Sequence, residues 1–343
     1  MGNSSASLSL PNLTTHIVTK GGSVFRLSYF DLVDHIILLR QVVVHPEMIE
    51  KGDKLNFFIK DYCHRMSNNQ MMSKYRQSEL PWEIDWIWHV HRLHPINYYN
   101  DCIKQIPNNY FIDKRIRKLT IDEYHKFDYS KSEKQINNRT TFVPSFDLEK
   151  AVLRQRDFLD KFQQHELYTF DLRNMSSMKF REIVENYILF MKLARKNTTI
   201  VPTFDIDLMW HTHMRYPLNY FHFSEQLCGF LLNHDDSITP QVLNNAYKDT
   251  AERWKTAYQS EYGHNVDRDC FRNSMNSIHC TITHDSIVKK KSSHGSYTGC
   301  GGFWSSESQV GNSNSCGSSC GSSCGSSCGS SCGSSCGSSC GGD

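Results

Sequence analysis

The chain of 343 residues carries almost no excess charge: 38 Lys and Arg stand against 36 Asp and Glu, a formal net charge of +2 with His neutral. Without a basic surplus it lacks the electrostatic footprint of a dedicated DNA-binding protein or a polybasic membrane anchor. It has no run of 18 apolar residues, so no segment is expected to span a bilayer. The stretch MGNSSASLSLPN at the start has neither the basic segment nor the apolar core of a signal peptide, and the expected location is cytoplasmic or nuclear. Paired cysteine spacing is missing too. Seven of the 13 cysteines, from Cys316 to Cys340, recur every fourth residue in a Cys-Gly-Ser-Ser tract, and the other six are scattered. Reduced thiols are therefore expected rather than a disulfide framework. There is no P-loop, GxGxxG, GxSxG, HExxH or RNP-like segment. Phosphate transfer, hydride transfer, serine hydrolysis and zinc proteolysis thus have no anchor in the sequence.

What is present is apolar periodicity of the helical kind. With 38% apolar and 22% charged residues, the composition is that of a globular protein. Leu32, Ile36, Leu39 and Val43 step by four, three and four, and His45-Pro46 supplies a stop, which predicts a helix over 31–44. Asp53 is a candidate cap for a second helix through Met66. Asp147 opens one through Phe162, and Ser176 or Ser177 opens another carrying Phe180, Ile183, Tyr187 and Phe190. Thr239-Pro240 to Gly263 reads as a closing helix. Residues 1–24 are polar and Ser-rich and read as a loose arm. From about 264 onward Ser, Asn, Gly and Cys dominate, which reads as a polar linker and a disordered tail.

One pattern appears twice. IDWIWHVHRLHPINYY at 84–99 returns as IDLMWHTHMRYPLNYF at 206–221, with Asp85/Asp207, Trp88/Trp210, His89/His211, His91/His213 and Pro95/Pro217 all offset by 122 and no gap. An ungapped match of this length signals an internal duplication. It gives two related helical units, about 25–112 and 142–232, in a pseudo-twofold relation. At about 100° per residue, Ile84, Ile87, Trp88 and His91 fall on one stripe, while Asp85 and His89 form a neighbouring pair one turn apart. His91 and His213 need hydrogen-bond partners if buried, whereas His89 and His211 can take support from Asp85 and Asp207. Pro95 and Pro217 end each motif helix and open the next.

Two chemistries suit these residues. In the first, Trp88 and Trp210 fill the core, the histidines tie helix ends to backbone and the aspartates orient them, which makes a structural lock. In the second, Asp85, His89, Asp207 and His211 surround one ion with two carboxylates and two imidazoles, a shell suited to Zn or another divalent metal. His234 and Asp235, after the apolar run 230–232, add metal-competent groups that equally suit a surface turn. No residue is assigned as catalytic, no cofactor is expected on the first reading, and Cys63, Cys102 and Cys228 read as small core hydrophobes.

The IDxxWHxH copies, LLNHDDS at 231–237 and AYKDTAERWKTAYQSEYG at 246–263 resemble the glycine-rich domain-containing protein family, over about residues 25–263. The resemblance implies a largely helical module of unsettled biochemistry, with plant members linked to growth, development and stress and suspected of RNA association. A Gly or Cys-Gly tail, as at 299–343, is also common in the family. It supplies no catalytic residue, and this chain lacks a recognisable RNA-recognition motif.

The overall expectation is an all-α protein of non-catalytic type, an interaction or scaffold module with a protein partner. The alternatives are a metal-binding protein or metal-dependent enzyme built on the two motif copies, and an RNA-associated protein stacking bases on Trp82, Tyr98 and Tyr99. Gly2 partly fits an N-myristoylation start, although Ala6 stands where Ser or Thr is usual. The Cys-Gly-Ser-Ser tract reads as a spacer whose thiols are also competent for soft ions.

Overall fold

A computed structural model describes residues 9–19, 22–127, 141–262 and, as backbone, 279–284. Among them run eleven α-helices: α1 (Tyr29–Val43), α2 (Asp53–Ser67), the short α3 (Lys74–Ser78), α4 (Trp82–Arg92), α5 (Pro95–Gln105), α6 (Leu148–Gln164), the short α7 (Glu166–Thr169), α8 (Ser177–Lys192), α9 (Phe204–Met214), α10 (Pro217–Cys228) and α11 (Pro240–Tyr258). The protein is largely helical, as the periodicity requires. Asp147 and Ser176 cap α6 and α8 by accepting from Lys150 N and Lys179 N, as expected of those residue types.

Helix bounds differ from the sequence reading where local chemistry was missed. α1 begins two residues early, because Ser28 and Asp31 form a reciprocal capping box. Asp53 lies inside α2 rather than capping it; Gly52 holds the cap position. α11 ends at Tyr258 with Gln259 in the left-handed region at φ 52°, and Gly263, expected as its terminator, lies outside the described residues. The stretch read as a loose arm also holds a strand. β1 (Leu13–Val18) buries Leu13, Thr15 and Ile17 and pairs antiparallel with β2 (Val24–Ser28), Thr14 opposite Ser28 and Val18 opposite Val24. Thr15, a polar residue at an inward position, disguises the alternation. β3 (His279–His284), in a region expected to lack structure, pairs antiparallel with the other edge of β1, giving the order β2-β1-β3. The Cys-Gly-Ser-Ser tail and Gly2 lie outside the described residues.

Both motif helices behave as their sequences demand. α4 and α9 stop where the residue before a proline is driven out of helical geometry: His94 and Tyr216 share near-identical backbone angles, φ −109° with ψ 73° and φ −111° with ψ 74°. Pro95 and Pro217 then start α5 and α10. α10 closes on Gly229, whose φ of 78° suits glycine at a left-handed cap. α4 is buried on every side, which places it at the centre of the module rather than on a surface stripe. α1 packs against both α4 and α9.

Around that junction lies a buried ionic hub. Asp34 of α1 and Asp85 of α4 share Arg215, with Nη2 at 3.1 Å from Asp34 Oδ2 and 2.8 Å from Asp85 Oδ2. Lys114 bridges the same two carboxylates at 3.3 and 3.2 Å, Arg92 holds the other Asp85 oxygen at 3.1 Å, and the Tyr124 hydroxyl donates to Asp85 at 2.9 Å. Asp34 also accepts from the backbone N–H of Lys118 at 2.8 Å, and Arg92 donates to the carbonyl of Arg215 at 2.6 Å. Removing one partner from such a network strands a buried charge, at a cost of about 3–5 kcal/mol. Arg215→Met is expected to lower the free energy of unfolding by that amount, read as a lower urea midpoint with an unchanged slope; an unaltered midpoint would show that the hub does not hold the fold.

Candidate functional site

The duplicated motif places matching side chains in matching frames. Trp88 Nε1 donates to the Tyr98 hydroxyl at 2.9 Å, and Tyr98 donates to the carbonyl of Ile112 at 2.7 Å. In the second copy Trp210 donates to Tyr220 at 2.9 Å, and Tyr220 to the carbonyl of Leu232 at 2.6 Å. Each relay buries an indole N–H and a phenol with no unmade bond and staples the segment after the motif back onto its helix.

His91 and His213 also have matching roles. Asp101 and Asn219 present acceptor oxygens to Nε2 at 3.0 and 3.3 Å, so Nε2 carries the proton in each ring, and Nδ1 accepts from Tyr62 or Tyr187 at 2.8 and 2.9 Å. Both imidazoles tie α2 or α8 to a motif helix. Burial pushes both below the ordinary histidine pKa, His213 to about 4.

The Asp and His at i, i+4 diverge. Asp85 does not meet His89; it is absorbed by the hub. Burial alone would raise its pKa, but Arg215, Lys114 and Arg92 together hold it well below the usual carboxylate range. A cavity of about 10 Å³ beside Asp85, Lys114 and Tyr124 has room for about one water. Asp85 is thus a structural anion, and the four-residue ion shell of Asp85, His89, Asp207 and His211 is not assembled. Apart from Arg92 on the same helix, its partners are invisible to helical spacing, because Lys114, Arg215 and the Tyr124 hydroxyl come from other segments.

In the second copy the expected pair forms. Asp207 Oδ1 lies 3.3 Å from His211 Nε2. His234 joins it from the chain after α10, with Nε2 at 3.1 Å from His211 Nε2 and 3.9 Å from Asp207 Oδ1. Burial, followed by the neighbouring His211, lowers His234 to about 4. Burial would raise Asp207, but His211 and His234 outweigh it and lower it. Asp235 turns away and accepts from Ser237, while Asp236 holds Arg154 and Gln155 of α6, both at 2.8 Å. Of LLNHDDS, then, His234 reaches the cluster, Asp235 does not, and Asp236 anchors the loop.

His35 of α1 extends the imidazole cluster and was not singled out from sequence, hidden in the apolar run of its helix. The single hydroxyl proton of Thr212 goes to the carbonyl of Leu208, so His35 Nδ1 donates to Thr212 at 2.8 Å and its Nε2 is left a bare lone pair. His89 lies 4.7 Å from His35 and 6.0 Å from His211, centroid to centroid. Neither nitrogen of His89 has a hydrogen-bond partner among the described residues. Burial, before the charges of neighbouring groups, keeps His35 and His89 well below the ordinary pKa.

The remaining candidates are inert. Burial pushes the Cys102 thiol up to about 11 and those of Cys63 and Cys228 to about 12, against thiolate chemistry. Tyr98 is fully buried and Trp82 nearly so, which removes two of the three rings suggested for base stacking. A groove of about 920 Å³ between the end of α8 and α11, lined among others by Leu193, Val242, Arg253 and Tyr258, contains no motif residue.

Comparison with known proteins agrees with the motif. The family model described as glycine-rich domain-containing protein-like matches residues 108–223, which includes the second copy. Glycine-rich domain-containing protein 1 and protein 2 of Arabidopsis thaliana are each 26% identical to the chain, over 211 and 210 residues, covering 53% of it and 25% and 26% of their own lengths. The chain thus spans about a quarter of the length of the curated relatives it matches. No solved structure matches it. No described helix is long and apolar enough to cross a membrane.

The buried neutral histidine His91 gives a signed pH dependence. Facing it are Asp101, Tyr62 and the charge of Arg92. Its folded pKa lies below the unfolded value of about 6.5, so the unfolded chain takes up a proton first and stability falls as pH drops below that value. Thermal melting of the full chain between pH 7.5 and 5 is expected to show this fall. His35, His89, His213 and His234 add falls of the same sign, so His91→Gln should make the fall shallower by one histidine's share while lowering stability at pH 7.5 by about 1–3 kcal/mol; an equal slope in both proteins would contradict the assignment.

Proposed function

We propose that the chain is a non-catalytic helical interaction module, a rigid body that presents a face to a protein partner. The observation that carries this reading is where the chemistry-bearing residues of the repeat are spent. Asp85 is neutralised by cations, both tryptophans feed a phenol-to-carbonyl relay, and His91 and His213 have both nitrogens bonded. Groups so engaged hold geometry; they are not poised to transfer protons or attack a substrate.

Support for a contact face comes from α5 and α10. Ile96 and Leu218, equivalent in the two copies, are 40% and 42% exposed. Between the two helices Tyr99 and Phe221 stack at 5.1 Å with planes 15° apart. The repeat thus doubles an apolar strip outward as it doubles the lock inward, and the occupant that suits it is an apolar segment of another protein. The names of the curated relatives state composition and add no activity.

The test places a photo-crosslinking residue at position 96 or 218 of the full chain in cells. Discrete protein adducts are expected from both positions. They should fall about tenfold or more when the other of these two positions is changed to Asp, the scale of losing an interface anchor, with melting unchanged. Absence of adducts, adducts that ignore the Asp substitution, or turnover in a broad hydrolase and oxidoreductase screen would each overturn the proposal.

A further inference from the structure

The Asp207, His211 and His234 triangle is not explained by a scaffold role. Its three ligating atoms are separated by 3.1, 3.3 and 3.9 Å. A circle through three points at those distances has a radius of about 2.0 Å, which is the bond length of a zinc-class ion to imidazole nitrogen and carboxylate oxygen. One position therefore lies at bonding distance from all three atoms with no side chain moved. These three residues together offer one ligand atom each within 4.8 Å of one another.

From this geometry we infer that Asp207, His211 and His234 form a binding site for one divalent transition-metal ion of the Zn(II) class. The donor set, two imidazole nitrogens and one carboxylate oxygen, suits Zn(II), Co(II) or Fe(II) and disfavours Mg(II) and Ca(II), which require a shell of oxygens. Both histidines are neutral donors when the ion binds through Nε2, so the ring protons reside on Nδ1. The proton shared between the two Nε2 atoms in the ion-free protein must then pass to Nδ1 of its own ring, so a neutral pair takes up the ion without net release of a proton. The Asp207 side chain is 22% exposed while its Oδ1, which faces the two imidazoles, is buried, so the site lies one side chain's depth below the surface.

The fold explains why only the second copy makes this site. Asp207 and His211 are one turn apart on α9, and their counterparts Asp85 and His89 have the same spacing on α4. At Asp85, cations occupy the carboxylate. At Asp207 the third group is an imidazole. His234 is set in place by its neighbours: the carbonyl and N–H of Leu232 are held by Tyr220 and Ser224, and Asp236 is held by α6. A bound ion would therefore clamp α9 to the segment that leads into α11.

The test uses the full chain with its thiols blocked by iodoacetamide, so that tail cysteines do not compete, and Zn(II) as the probe in calorimetry. One equivalent is expected to bind and to raise the melting temperature. His234→Gln should weaken binding at least about tenfold, since ligand loss exceeds the effect of losing a supporting contact, while Asp235→Asn should leave it unchanged. In case His234→Gln disturbs folding, ring-nitrogen NMR shifts of His211 and His234 in the unsubstituted protein read the same ligands and should move on Zn(II) addition. No binding once thiols are blocked, equal affinity in His234→Gln, or unmoved His211 and His234 resonances would each overturn the site.

Discussion

Two buried carboxylates, Asp34 and Asp85, share the cations Arg215 and Lys114, and that pairing organises the helices around them. Each partner comes from a different part of the chain: α1, α4, the end of α9 and the segment after α5. A charge network of this kind adds less net stability than an apolar core of equal volume, yet it tolerates few alternative arrangements, because any shift leaves a charge unpaired. Here it fixes the relation of the two motif helices to α1. The Trp–Tyr–carbonyl relays and the His–Tyr pairs then fasten each copy to its own neighbours.

The repeat shows how one local pattern yields different chemistry. Backbone geometry at the motif ends is nearly identical, and the relays are superposable in kind. What differs is the surroundings. Asp101, a carboxylate from α5, supports His91, whereas Asn219, six residues along the chain, supports His213. Cations reach Asp85, and a histidine reaches Asp207. The proposed scaffold role and the proposed ion site do not conflict, because the relays and the His–Tyr pairs use residues other than Asp207, His211 and His234.

Much of this was legible in the sequence. Period-3.6 apolar steps locate the long helices, and the prolines locate the breaks, because both depend on contacts within a few residues. The demand of His91 and His213 for partners was also readable, since burial of an imidazole requires it. What escaped is non-local. Helical spacing joins Asp85 to His89, and only the fold reveals that Lys114, Tyr124 and Arg215 take the carboxylate instead. His35 was masked by the aliphatic residues beside it. β1 was masked by Thr15 at an inward position, and β3 by the polar composition around it. Asp235 and Asp236 look equivalent in sequence, but only the second reaches across to α6.

The central claim is that the two equivalent aspartates do different work, one holding the core and the other holding an ion. Measuring urea stability and Zn(II) uptake side by side for Asp85→Asn and Asp207→Asn in the thiol-blocked full chain tests it directly. The account predicts a crossed result: Asp85→Asn loses several kcal/mol of stability, about 3–5 by the cost of opening a buried ion network, and its folded fraction still takes up the ion; Asp207→Asn keeps most of its stability and loses uptake. Parallel effects in the two variants, or the reverse pairing, would contradict it.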